Sequence, residues 1–197
     1  MENLEQTVLA KAQKWLDGEY DVATKERVKW LMDNDIKELT ESFYKDLEFG
    51  TGGLRGIMGV GSNRMNIYTV RRATQGLCLE MMDKGEETVK KGVVIAYDSR
   101  NNSALFAMEC AKVLCANGIK TYLFESLRPT PELSFALRYL KCARGIVVTA
   151  SHNPKEYNGY KVYNSLGCQI TDEAAKTITE KINEYDYFND FTPNESF

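Results

Sequence analysis

A chain of 197 residues that is 43% hydrophobic holds enough apolar side chains for one sizeable domain with room for an appendage, so disorder is not the default. A net charge of −3 without a dense basic stripe argues against a nucleic-acid partner. No apolar run approaches the ~20 residues that a membrane span requires.

The N-terminus carries Glu2 and Glu5 and no apolar h-region, so no signal peptide is predicted. The five cysteines, Cys78, Cys110, Cys115, Cys142 and Cys168, are odd in number and lack Cys-x-x-Cys spacing. They predict neither a zinc site nor a disulfide framework, but reduced and mostly buried thiols in a cytoplasmic protein.

Taken in order, residues 3–17 form a helical stripe (Leu4, Val8, Leu9, Ala12, Trp15, Leu16) that stops at Gly18. A second amphipathic helix starts near Thr24 with Val28, Leu31 and Met32 on one face, and a third follows from Asp35 with Ile36, Leu39 and Phe43. Asp33-Asn34-Asp35 lacks the glycine and the twelfth-position glutamate of a calcium loop, and reads as a polar helix junction. This leader is expected to pack on the main domain as a brace.

Phe49–Gly61 is rich in glycine, but Arg55 stands where a dinucleotide fingerprint needs its third glycine, and no Walker sequence is present. Two alternatives are balanced here: a flexible turn, or a loop whose backbone approaches a phosphate that Arg55 also reaches. Asn66 caps a helix running to about Met82, with Val70, Ala73, Thr74, Leu77 and Cys78 inward. Arg71 and Arg72 on that helix read as a solvated face.

From residue 92 the pattern alternates regularly: strand Val93–Tyr97, helix from about Asn102 to Asn117, strand Thr121–Phe124, a helix opened by Thr130-Pro131, and strand Gly145–Val148. Such alternation predicts parallel strands with helices on the sheet faces. Asp98 and Arg100 then lie on the rim at the carboxyl end of a strand, as an orienting pair. Tyr160–Tyr163 is predicted to return antiparallel to Gly145–Val148, because the short connection between them permits a broad hairpin and no crossover helix. Thr171-Asp172 caps a last helix with Ala175, Ile178 and Ile182 inward. The fold class is thus a three-layer α/β/α domain with a mixed, mostly parallel sheet, preceded by a helical leader.

The stretch Thr149-Ala150-Ser151-His152-Asn153-Pro154 follows the buried strand directly, and Asn153-Pro154 ends regular structure. Ser151 therefore sits at a strand's carboxyl end, where open α/β sheets bind ligands. His152, the one histidine in the chain, is adjacent in sequence and a poor base for a hydrolase triad, and the Gly-x-Ser-x-Gly elbow is missing. A serine that carries a phosphoryl group fits better, since it needs cations and donors around it. Arg144, Lys155 and Lys161 are near in sequence and could supply the charge.

Thr149–Pro154 followed by Tyr157-Asn158-Gly159-Tyr160-Lys161 resembles the active-site signature of the α-D-phosphohexomutases, the phosphoglucomutase/phosphomannomutase superfamily. Phe49-Gly50-Thr51-Gly52-Gly53-Leu54-Arg55-Gly56 and Tyr97-Asp98-Ser99-Arg100 agree in order and spacing. The resemblance implies a helical extension over residues 1–46, domain I of the family over 47–187, and a linker over 188–197 leading to further domains. It implies a phosphorylated Ser151 that gives its phosphoryl group to a hexose 1- or 6-phosphate and takes the other one back from the bisphosphate. Arg55 and Lys161 would neutralise charge, and His152 would hold the loop and contact the phosphoryl group.

The resemblance also implies Mg²⁺ with Ser151 as its one ligand in this chain, and a glucose 1,6-bisphosphate-type activator. The partners it implies are the hexose phosphate substrate and the remaining domains of the same polypeptide, with no nucleic acid and no membrane. The family's Asp-Gly-Asp-x-Asp-Arg metal loop does not occur in this sequence. Two alternatives stay open on the residues: a non-catalytic sugar-phosphate binding module and a serine hydrolase.

Overall fold

The computed structural model describes residues 2–184, with side chains from Leu4 onward; the expected linker at 188–197 lies outside the described residues. Three helices lead: α1 (Glu2–Asp17), α2 (Val22–Asn34) and α3 (Ile36–Phe43). Asp35 is the hinge between the last two, and its carboxylate accepts from the Glu38 amide at 3.0 Å and so caps α3. The polar junction expected at 33–35 is therefore a helix cap.

The leader has its own core of Val8, Ala12, Trp15, Tyr20, Val28, Leu31, Leu39 and Phe43, and Tyr68 of the main body closes it. Trp15 stacks on Tyr20 with ring centroids 4.2 Å apart. Polar ties finish the brace: Tyr68 Oη donates to Asp21 at 2.6 Å, Arg64 pairs with Glu38 at 3.0 Å, and Asp46 receives both Lys11 and Arg72.

The body is a five-stranded sheet in the order β1-β5-β4-β2-β3: β1 Gly53–Ile57, β2 Val93–Tyr97, β3 Thr121–Leu123, β4 Arg144–Val148 and β5 Tyr157–Asn164. β2 pairs in parallel with both β3 and β4, while β5 runs antiparallel to β4 and β1. The predicted return strand is thus present, after the eight residues from Thr149 to Glu156, and the sheet is mixed as expected.

Helices α4 (Ile67–Asp83), α6 (Ser103–Ala116) and α8 (Asp172–Asn183) cover one face, over Val93, Ile95, Ile146, Val148, Tyr160 and Val162. On the other face α7 (Thr130–Tyr139) packs on Val94, Ala96 and Val147 through Leu133 and Leu137. These are the three layers. Among the described helices none is long and apolar enough to cross a membrane.

Four differences from expectation have physical causes. β1 lies inside the glycine-rich run, where the sequence gives little apolar alternation. It forms because β5 supplies a partner and because Gly53, at φ 153°, has no Cβ to collide with the Tyr160 carbonyl. A short helix, α5 (Glu86–Lys91), buries no residue fully and sets only Val89 against the core, too little for a periodicity to read. Thr130 does not cap α7: Pro129 takes the N-cap position and no side chain bonds the helix start.

Finally, Arg71 and Arg72 are not a solvated face. Arg71 pairs with buried Glu109 at 2.6 Å, and Arg72 bonds Asp46 at 2.9 Å and the Ile182 carbonyl at 3.2 Å. They tie α4 to α6, to the end of the leader and to α8. Cys78, Cys110 and Cys142 are buried thiols, Cys115 is half-buried and Cys168 exposed. Burial pushes Cys110 up to about 12, so it is an inert core group.

Candidate active site

β4 ends at Val148, and Thr149 stays bound to β5 through its amide and the Gly159 carbonyl at 3.0 Å. The chain then turns sharply. Ser151 has φ 57°, the left-handed region that a Cβ disfavours by about 1–2 kcal/mol, and its amide is held by Thr149 Oγ1 at 3.0 Å. A strained residue at a strand end is typical of a functional position. The turn leaves Ser151 and His152 exposed, with Ser151 Oγ 3.4 Å from His152 Nδ1. No carboxylate orients His152 among the described residues, so a Ser-His-acid relay is not assembled here.

Beneath the turn sits Arg100, on the loop after β2. Its Nη2 donates to the carbonyls of Ser151 and Asn153, both at 2.7 Å, and its Nη1 to those of Pro154 at 2.9 Å and Tyr157 at 3.1 Å. Asp98 steadies it: the carboxylate accepts from the Arg100 amide at 3.0 Å and from Ser103 Oγ at 2.7 Å, with Arg100 Nε 3.5 Å away. Parallel pairing of β2 with β4 puts both loops on one rim, as expected from the alternation. A further support is Asn158, fully buried, which donates to the Asn101 carbonyl and to Ser103 Oγ, each at 3.0 Å. The sequence marked Asn158 only as part of a motif; its role as a buried tie between two loops needed the tertiary pairing.

The candidate cations divide. Arg55 stands on β1 opposite Gly159 and reaches Asn153 Oδ1 at 3.1 Å, which brings it to the serine loop. Lys161 shares the Arg55 face of the sheet, because residues paired across antiparallel strands point the same way. Its register partner on β4 is Val147, four residues before Ser151, and no bond joins it to the loop. α7 lies over β2 and β4 and leaves Arg55 exposed and Lys161 partly so.

Arg55, Lys155 and Lys161 form no ion pair with a carboxylate among the described residues, so positive charge by the loop is uncompensated. Arg144 is a correction: it occupies the far end of β4, where Nη2 meets buried Glu80 at 2.6 Å. Sequence proximity misled because a strand carries its two ends apart at ~3.3 Å per residue.

The glycine-rich run contains a turn at its start. The Gly50 and Gly53 amides bond each other's carbonyls at 3.0 and 3.2 Å, closing a tight turn into β1, and so are not open to a phosphate. An open cleft of ≈580 Å³ lies against β1 and includes Arg55 and Tyr157, but Ser151 does not line it.

Magnesium prefers six oxygen ligands anchored by carboxylates. Among the described residues no three His, Cys, Asp or Glu side chains gather for a metal, and Asp98 on the same rim is engaged by Ser103 and Arg100. Ser151 offers at most one oxygen, so the described residues do not build a magnesium site by themselves.

A hydroxyl on a strained turn at the carboxyl end of a central strand, with unpaired cations beside it, matches the phosphohexomutase signature. Residues 46–188 match the family model "Phosphoglucomutase/phosphomannomutase, alpha/beta/alpha domain I". The chain belongs to the phosphoglucomutase/phosphomannomutase family, as its domain I.

Human phosphopentomutase is 40% identical over 178 residues, covering 87% of this chain and 29% of that protein. A match to 87% of the chain necessarily enters the helices before residue 46. A phosphoglucomutase of Staphylococcus haemolyticus is 42% identical over 143 residues, covering 73% of this chain and 26% of its own. Among solved structures, a putative phosphomannomutase from Thermus thermophilus superposes with a TM-score of 0.63 at 34% identity, over 70% of this chain and 30% of that one. The chain thus spans less than a third of the length of these relatives.

Proposed function

We propose that Ser151 is the phosphoryl carrier of a phosphosugar mutase. A hydroxyl oxygen of the sugar 1-phosphate attacks the phosphorus of phospho-Ser151. The bond from phosphorus to Ser151 Oγ breaks, the proton of the attacking hydroxyl ends on the freed Oγ, and a sugar bisphosphate forms. After the bisphosphate reorients, Ser151 Oγ attacks its other phosphoryl group and the sugar leaves with its phosphate moved.

Arg55 holds the phosphoryl oxygens from the β1 side, His152 keeps the turn and contacts the same group, and Lys161 rises from the open sheet face to neutralise the transferring charge. Such transfer depends on positioning and charge neutralisation more than on covalent chemistry by the protein. Magnesium, if bound, would take Ser151 as its one ligand from this chain and its remaining ligands from further domains.

The single observation that carries this proposal is the exposed Ser151 hydroxyl on its left-handed turn, held from below by Arg100. The substrate is a hexose phosphate. A pentose phosphate is a second choice, supported by the relative named phosphopentomutase that matches 87% of the chain. The first 46 residues belong to this proposal as a brace, residues 188–197 as the way to further domains, and the cytoplasm as the location.

The test is Ser151→Ala in the full-length protein, assayed for conversion of hexose and pentose 1-phosphates with magnesium and a sugar bisphosphate activator. Turnover above a trace in the folded variant overturns the carrier role. A folded wild type that binds sugar phosphates but never takes up phosphate is instead a binding module. Covalent labelling of Ser151 by a fluorophosphonate would favour a hydrolase.

A further inference from the structure

We propose that Arg100 is a positioning residue that turns the serine loop inside out, so that the backbone amides of His152 and Lys155 face the phosphoryl group; this rests on Ser151 being the phosphoryl carrier. Four carbonyls, of Ser151, Asn153, Pro154 and Tyr157, converge on one guanidinium. In a trans peptide the N–H points opposite to the C=O, and none of the peptide bonds among the described residues is cis. The Ser151 carbonyl shares its peptide with the His152 amide, and the Pro154 carbonyl with the Lys155 amide. Drawing these two carbonyls onto Arg100 therefore aims both N–H groups away from it. The Asn153 carbonyl precedes Pro154, which has no N–H to aim.

Three other backbone donors of the loop are consumed internally. Ser151 N–H goes to Thr149 Oγ1, Asn153 N–H to the Ala150 carbonyl and Tyr157 N–H to the Pro154 carbonyl. The His152 and Lys155 amides have no acceptor among the described residues, and both residues are exposed. Outward backbone N–H groups attract an anion, and the His152 amide is the one next in the chain to the Ser151 hydroxyl. The Arg100 charge offsets the inward carbonyl dipoles, and Asp98 holds Arg100 at the depth where its fork spans all four oxygens. A lysine places one ammonium there and cannot bridge the same four acceptors.

The experiment uses the full-length protein as wild type, Arg100→Met and Arg100→Lys. Phosphate transfer to Ser151 is timed with a labelled sugar bisphosphate, kcat and KM are separated, and hydrogen exchange is followed at the His152 and Lys155 amides with and without phosphate on Ser151. Both variants are expected to lose about 100-fold in phosphorylation rate and kcat, the scale of a misplaced reacting group, with KM for the sugar phosphate within about threefold. Phosphorylation should protect the two amides in the wild type and fail to do so in the variants, an effect that a merely structural arginine would not produce. If Arg100→Met does not fold, Arg100→Lys and the wild-type exchange decide. Wild-type rates in either variant, or equal exchange at both amides with and without phosphate, overturn the proposal. A wild type that takes up no phosphate at all overturns the carrier role of Ser151, and this inference with it.

Discussion

Gly159 lies where β1, β5 and the end of β4 come together, and a single methyl group there tests whether that junction sets the serine loop. Its φ is not in the left-handed region, so Gly159→Ala adds only a steric demand. The new Cβ would stand 2.6 Å from the Thr149 carbonyl oxygen and 3.0 Å from that of Leu54, both backbone atoms that cannot swing aside. Relief requires β4 and β5 to part by roughly 0.5 Å or more at Thr149, two residues before Ser151, and such overpacking destabilises by about 1–3 kcal/mol.

At ~2–4 °C per kcal/mol for a chain of this size, Tm should fall by several degrees. A displacement of about half an ångström at the nucleophile should lower kcat by between ~10- and ~100-fold. The assay is thermal unfolding of the 197-residue chain by circular dichroism, together with steady-state mutase kinetics on the full-length protein. Gly50→Ala serves as the stability baseline, because its added methyl meets nothing within 4 Å. Unchanged Tm in Gly159→Ala would refute the packing at the strand junction. A lowered Tm with full kcat would refute the link between that junction and Ser151.

Arg55→Ala and Lys161→Ala should each reduce kcat by about 100-fold, the effect of removing one donor or cation from a transition state; wild-type kinetics would return that residue to the solvated surface. Burial alone would raise the Asp46 carboxyl, but Arg72 and Lys11 outweigh it and hold the group below 3.8. Because the folded value is depressed, its stabilisation is complete above the unfolded value and is lost as pH falls through the folded one. Asp46→Asn should therefore lower stability at neutral pH and flatten the acid limb of the Tm-against-pH curve, whereas an unaltered acid limb would count against the pairing. The 197-residue chain by itself should fold, giving a cooperative melt, yet show no sustained conversion of glucose 1-phosphate to glucose 6-phosphate with magnesium and bisphosphate present. Sustained turnover would mean that the metal and substrate groups lie within this chain after all.

The elements with local signatures could be read from the sequence alone. The stretch from Val93 to Val148 alternates between apolar strands and amphipathic helices, and the Ser151 loop announces itself by type of residue and by its place after a buried strand. The return strand followed from chain length, since so short a connection cannot hold a crossover helix. The decisive contacts at the site were not local. β1 has too few apolar positions to be seen until β5 pairs with it, and Arg55 meets Asn153 only because that pairing brings residues 98 apart in sequence together. Arg144 lies near Ser151 in the chain and at the opposite end of β4 in space, and Arg71 and Arg72 find their acids on other elements. Tertiary structure alone decided where each cation goes, because a charge takes its place from partners distant in sequence, whereas strand and helix periodicity is written in neighbours.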